Sequence, residues 1–174
     1  MLLALAACRS PPVVEEAARS GDVGVSIVPP PAGAAAMPLR SDQAFVFPNL
    51  VEPAAMPEYP PDLLKLRLEP VVVCVEIDID ETGKVFAARP RVDGACPAAS
   101  GEPGGEFAAA ANDAVLRWVY DPALVCSTPD GKPAEDACAV EGAVETPTKI
   151  RLSYAFRFSQ RDGKPSVERL SDGG

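Results

Sequence analysis

The chain has 174 residues, room for one domain with appendages, and 20 of them are proline. A net charge of −9 argues against duplex DNA or RNA as a partner, because phosphate neutralisation needs a basic surface. Aromatic residues make up only 6% and much of the apolar content is alanine, so the expected core is modest. No apolar run approaches the ~20 residues that a membrane-spanning helix needs.

The first eight residues, Met1-Leu2-Leu3-Ala4-Leu5-Ala6-Ala7-Cys8, are apolar and end in small residues before a cysteine. Leu5-Ala6-Ala7-Cys8 resembles the lipobox that closes a bacterial lipoprotein signal peptide. The resemblance implies that residues 1–8 are the end of a signal and that Cys8 carries a lipid anchor. Arg9 follows the cysteine where an aspartate would favour the inner membrane, which points to the outer membrane. The competing reading is an apolar tail with an incidental cysteine.

Residues 9–55 hold Pro11-Pro12, Pro29-Pro30-Pro31, Pro38, Pro48 and Pro53 among many alanines. Such a Pro/Ala-rich segment favours extended polyproline chain and reads as a linker. At ~3.1 Å per residue it reaches at most ~140 Å. Two short apolar pieces interrupt it, 23–28 and 45–51, and each could dock on the domain or on a partner.

Past Tyr59-Pro60-Pro61, Asp62 can cap a short helix over 63–68, which Pro70 ends. From Val71 to Asp80 the side chains alternate, with Val73, Val75, Ile77 and Ile79 on one face and Cys74, Glu76, Asp78 and Asp80 on the other. Period two with one apolar face predicts a half-buried strand. Asp80-Glu81-Thr82-Gly83 supplies a turn, and 84–92 returns as its hairpin partner, with Pro90 suited to an edge. A Gly/Pro/Ala-rich loop over 93–105 precedes a helix whose apolar face is Phe107, Ala111, Ala114, Val115 and Trp118. Pro122 stops it. Residues 124–147 read as an irregular loop, with a turn at Pro129-Asp130-Gly131. In the strand 148–158, Ile150, Leu152, Tyr154, Phe156 and Phe158 face inward, and Lys149, Arg151, Ser153, Ala155 and Arg157 face outward. Residues 161–174 read as a mobile polar tail. The expected fold is α+β: two helices on one face of a three-stranded antiparallel sheet, preceded by the Pro/Ala-rich linker. The last strand should lie beside the first and leave its other side as an open edge.

This ordered series resembles the C-terminal domain of the TonB family. Tyr59-Pro60 stands where the family opens its domain. Val75, Ile77, Asp78, Gly83 and Val85 follow its first hairpin. Ala111, Ala114, Trp118, Tyr120, Pro122 and Ala123 resemble its helix and exit, and 150–158 its closing strand. The resemblance covers 56–158, within a domain set at 56–160, and implies a periplasmic binding protein. A short extended segment of an outer-membrane receptor, or of another envelope protein, would add as a strand to the closing-strand edge. That edge comprises Lys149, Ile150, Arg151, Leu152, Ser153, Tyr154, Ala155, Phe156 and Arg157. Lys149, Arg151 and Arg157 would favour an acidic segment; a charge-protected edge is the equal alternative.

Four cysteines remain after Cys8, which suits two disulfides in an exported protein and allows three connectivities. Cys126 and Cys138 flank a loop whose closure would stabilise by about 3 kcal/mol. Cys74–Cys96 is the complementary pair. A zinc site is disfavoured because close C-x-x-C pairs are lacking. Glu76, Asp78, Asp80 and Glu81 do not follow the offsets of a calcium loop and read as a solvated face. With no histidine and no nucleophile motif, the expectation is no enzyme, no metal and no cofactor. The functional expectation is a lipid-anchored periplasmic TonB-like protein, with TonB-dependent transport as its setting. The alternative is a structural envelope lipoprotein that self-associates, as a homodimer for instance, or attaches to the wall without energy coupling.

Overall fold

The protein is described from a computed structural model that covers residues 37–93, Cys96 and residues 104–170. Cys8 and the apolar piece 23–28 lie outside the described residues. In chain order the elements are β1 (Gln43–Val46), β2 (Asn49–Leu50), helix α1 (Pro61–Leu64), β3 (Val71–Ile79), β4 (Val85–Arg91) and helix α2 (Gly104–Val115). There follow β5 (Tyr120–Asp121), β6 (Ala123–Ser127), a 3-10 turn at Ala137–Ala139, β7 (Val144–Thr148), β8 (Ile150–Arg161) and β9 (Lys164–Arg169).

The alternating segments form the strands that alternation demands. Val71, Val73, Val75, Ile77 and Ile79 of β3 are all buried, as are Leu152, Tyr154, Phe156 and Phe158 of β8. The two strands pair antiparallel from Val71↔Phe158 to Ile79↔Ile150. β4 flanks β3 on its other side. Phe107, Ala111 and Val115 of α2 join the core shared with these strands, and Ala114 is buried as well. Trp118, just past the helix, packs edge-on to Tyr154 at 5.0 Å and donates its indole N–H to the Ala55 carbonyl at 2.6 Å.

The turn between β3 and β4 shows why its residues stand where they do. The Asp80 carboxylate accepts from the Thr82 N–H at 2.8 Å, its hydroxyl at 2.7 Å and the Lys84 N–H at 3.0 Å. Gly83 has φ +83°, and a Cβ there would lie 1.8 Å from the Tyr120 carbonyl oxygen. Glycine is required twice over, for its conformation and for the close passage of β5.

The α+β expectation of two helices on a three-stranded sheet is overturned. Among the described residues the protein is mostly β, with nine strands in three sheets and two short helices. The main sheet has four strands in the order β4-β3-β8-β9, because Lys164–Arg169 forms a strand instead of a mobile tail. A second sheet, β1-β6-β7, is built largely from the stretch read as an irregular loop and from part of the linker. β2 and β5 form a two-stranded ribbon. These strands hold two to six residues each, too short for a period of two to stand out. β1 and β2 also find their partners far along the chain, 84 residues apart for the side chains of Gln43 and Ser127. Of the two linker pieces, 45–51 enters this structure and buries Leu50. Helix α1 is a single turn with Pro61 at its start, and Asp62 makes no capping hydrogen bond.

Candidate functional site

The predicted site is the edge of β8 that faces away from β3. In an antiparallel strand the N–H and C=O of one residue point to the same side, and successive residues alternate. The Leu170 N–H donates to the Ala155 carbonyl at 2.9 Å on the side opposite β3. Arg151, Ser153, Ala155 and Arg157 therefore present their main chain outward, and Ile150, Leu152, Tyr154 and Phe156 theirs to β3.

β9 covers much of this edge. It pairs with β8 from Phe156↔Arg169 to Arg161↔Lys164, after a tight turn in which Asp162 and Gly163 have φ of +51° and +75°. The fully open closing-strand edge expected from the sequence is thus corrected. Phe156 and Arg157 are already paired, and Ala155 is taken by Leu170. Among the described residues, the outward N–H and C=O of Arg151 and Ser153 have no main-chain partner. The signal for β9 was present in the sequence: Asp162-Gly163 is the dipeptide that a two-residue hairpin turn favours.

The side chains divide by face. Leu152, Tyr154 and Phe156 are core, and Ile150 is half-buried at the sheet's end. On the outer face Arg151 is committed: its Nε lies 2.6 Å from Asp78 Oδ1 and 3.5 Å from Glu76 Oε1. Arg89 completes the cluster by pairing with Asp78 at 2.7 Å and with Glu76. Burial pushes the Asp78 carboxyl up, but hydrogen bonds from Arg151 and Arg89 outweigh it and hold it below the usual carboxylate range. Lys149 sits 3.7 Å from Glu81 and 6.0 Å from the centre of the Phe86 ring. Arg157 is exposed opposite Glu168. Ser153 and Ala155, expected at an exposed face, are buried at 4% and 6% exposure. A small apolar cluster of Cys74, Cys96 and Ala155, with Val72 and Leu170, covers this part of the outer face.

Tyr59 is a core anchor. Its ring lies edge-on to Phe107 at 5.1 Å, and its hydroxyl is 3.2 Å from the side-chain amide of Gln160. Pro60 precedes the turn of α1. Tyr59 thus braces β8 from beneath, against Phe158 and Gln160, rather than lining its edge.

Two disulfides join Cys74 to Cys96 and Cys126 to Cys138, so these four cysteines offer no thiolates for zinc. Among the described residues no cluster of three or more candidate metal ligands occurs. The acidic row is explained locally: Glu76 and Asp78 pair with arginines, and Asp80 organises its turn. Deep in the core the hydroxyls of Tyr120 and Tyr154 lie 3.0 Å apart. Burial, the largest cause, pushes both phenols above their usual range, Tyr120 well above it. Also among the described residues, no helix is long and apolar enough to cross a membrane. No protein-family model, no curated protein and no solved structure matches this chain.

Proposed function

We propose that this chain is a TonB-like periplasmic protein that works by binding rather than catalysis. Its β8 edge takes a short extended segment of an outer-membrane receptor or another envelope protein. The observation that carries this reading is the exposed Arg151, whose outward main-chain groups have no main-chain partner among the described residues; Ser153 beside it also lacks one but is buried, so a segment would enter at the Arg151 end of the strand. Added as a strand, a segment would gain affinity from these groups and selectivity from alternate side chains. With Arg151 held by Asp78 and Glu76, Lys149 is the more available cation beside that stretch, its side chain 62% exposed. Two disulfides fit an oxidising compartment such as the periplasm. The lipobox-like Leu5-Ala6-Ala7-Cys8 would hold the protein at a membrane, the outer one by the Arg9 argument.

The test is a titration of the full chain with synthetic N-terminal segments of outer-membrane receptors, read by amide chemical shifts. Shifts should concentrate at Arg151 and Ser153. Arg151→Pro should abolish them, while Arg151→Ala, which keeps the N–H, should retain them. Shifts that are absent, or indifferent to the proline, defeat strand addition here.

A second reading has its own support. β9 occupies the edge from Phe156 to Arg161. A sheet so covered suits a structural envelope lipoprotein that self-associates or attaches to the wall without energy coupling. That reading expects stable self-association or an envelope complex with no receptor segment present.

A further inference from the structure

The outermost strands of the two larger sheets are β4, β9, β7 and β1, and prolines divide them unequally. The alternation fixed by Leu170 and Ala155 points Ile79, Ile77 and Val75 of β3 toward β8, so Pro90, opposite Val75, turns its nitrogen away from β3. Pro165, opposite Gln160, likewise turns its nitrogen away from β8. In the smaller sheet the Thr128 N–H donates to the Asp42 carbonyl at 3.0 Å, continuing the register Gln43↔Ser127. Asp42, Ala44 and Val46 therefore face β6. The opposite set on β6 faces β7, which leaves Pro147, opposite Leu124, turned outward. Three of the four outer strands thus lack an edge donor at a proline, a device that discourages pairing with another chain.

β1 has no such guard. Phe45 presents its main chain outward and, among the described residues, finds no main-chain partner there; Phe47 follows just past the strand. Their rings meet edge to face at 5.0 Å, and Phe47 is 63% exposed. Val125 lies opposite Phe45, and Thr146 opposite Val125, so this row of the sheet carries no charge.

We propose that β1 is a self-recognition edge, where two copies of this chain pair antiparallel about a two-fold axis. A two-fold axis brings the same outward residues together from both copies, so the free groups on each side match. The product is a six-stranded sheet, β7-β6-β1 continued by the same strands of the second copy in reverse order. Both of its ends are β7 with Pro147 turned outward, so association closes at two instead of growing into a fibre. An uncharged contact also spares two copies of net charge −9 from meeting charge to charge.

The experiment is sedimentation velocity of the full, oxidised chain over a wide concentration series, alongside Phe45→Pro and Phe47→Lys. The parent should double its mass as concentration rises, and both variants should lose the heavier species while keeping the parent's far-ultraviolet spectrum. Phe47→Lys changes an exposed side chain, so it decides the matter should the proline variant misfold. A parent that stays monomeric throughout, or a dimer that survives Phe47→Lys, overturns the proposal. No receptor segment is present, so the result is separate from that at Arg151.

Discussion

The two larger sheets hold together by different physics. β4-β3-β8-β9 is an ordinary hydrophobic core, with long strands, buried Val and Ile on β3, and an aromatic cluster of Tyr59, Phe107, Trp118, Tyr154, Phe156 and Phe158. β1-β6-β7 has strands of four or five residues, mostly half-buried or exposed side chains, and the Cys126–Cys138 disulfide. Both sheets carry a disulfide, Cys74–Cys96 on the main one, but large buried side chains secure the main sheet, whereas the smaller one has few and leans more on its covalent link. The proline-free β1 edge belongs to the lightly packed sheet, so partner choice there can change with little cost to the core.

The largest test of this contrast is Trp118→Ala. Removing a buried ring that touches Tyr154 and holds the Ala55 carbonyl should cost about 3–5 kcal/mol. The loss should appear in global unfolding by denaturant. If stability barely moves, the main sheet does not depend on its aromatic cluster.

Next comes removal of the small sheet's staple by Cys126→Ala with Cys138→Ala. Loop-closure entropy puts the loss at about 3 kcal/mol. Native-state hydrogen exchange should report it in β6 and β7, while amides of β3 and β8 keep more of their protection. Equal loss everywhere would mean that the two sheets unfold as one unit.

The smallest effect concerns the buried Tyr120–Tyr154 pair. Tyr154→Phe leaves the Tyr120 hydroxyl without its partner, at a cost of about 1–2 kcal/mol. The folded phenols titrate above the unfolded value of about 10. Their contribution is fully present below that pH and is lost as pH rises beyond it. Thermal melts from neutral to strongly alkaline pH should therefore fall above about pH 10, less steeply in the variant. Identical alkaline slopes would put the sensitivity elsewhere. Asp78 has the opposite sign: its lowered value gives stability that is present above the ordinary carboxylate range and lost on acidification.

The sequence by itself determined β3, the β3–β4 turn at Gly83, the apolar face of α2 and β8, because large side chains at periods of two and 3.6 record which face is buried. It also singled out the two cysteine pairs, Cys126 and Cys138 by the loop they flank and Cys74 and Cys96 by their places on a strand's polar face and after its hairpin partner, without deciding among three connectivities. The alternation of β8 put Arg151 and Ser153 on its outer face, where Arg151 is exposed and Ser153 is not, and the Asp162-Gly163 turn signal for β9 stood in a stretch read as tail. Only the tertiary structure decided the sheet assembled from β1, β6 and β7, the burial of Ala155 against the Cys74–Cys96 link and the burial of Ser153 opposite Glu76. Short strands gain stability from partners distant in the chain, and such pairing leaves little periodic trace in either strand. The directions of Pro90, Pro147 and Pro165 are of the same kind: a proline's presence is in the sequence, but its open side depends on which neighbour the strand acquires.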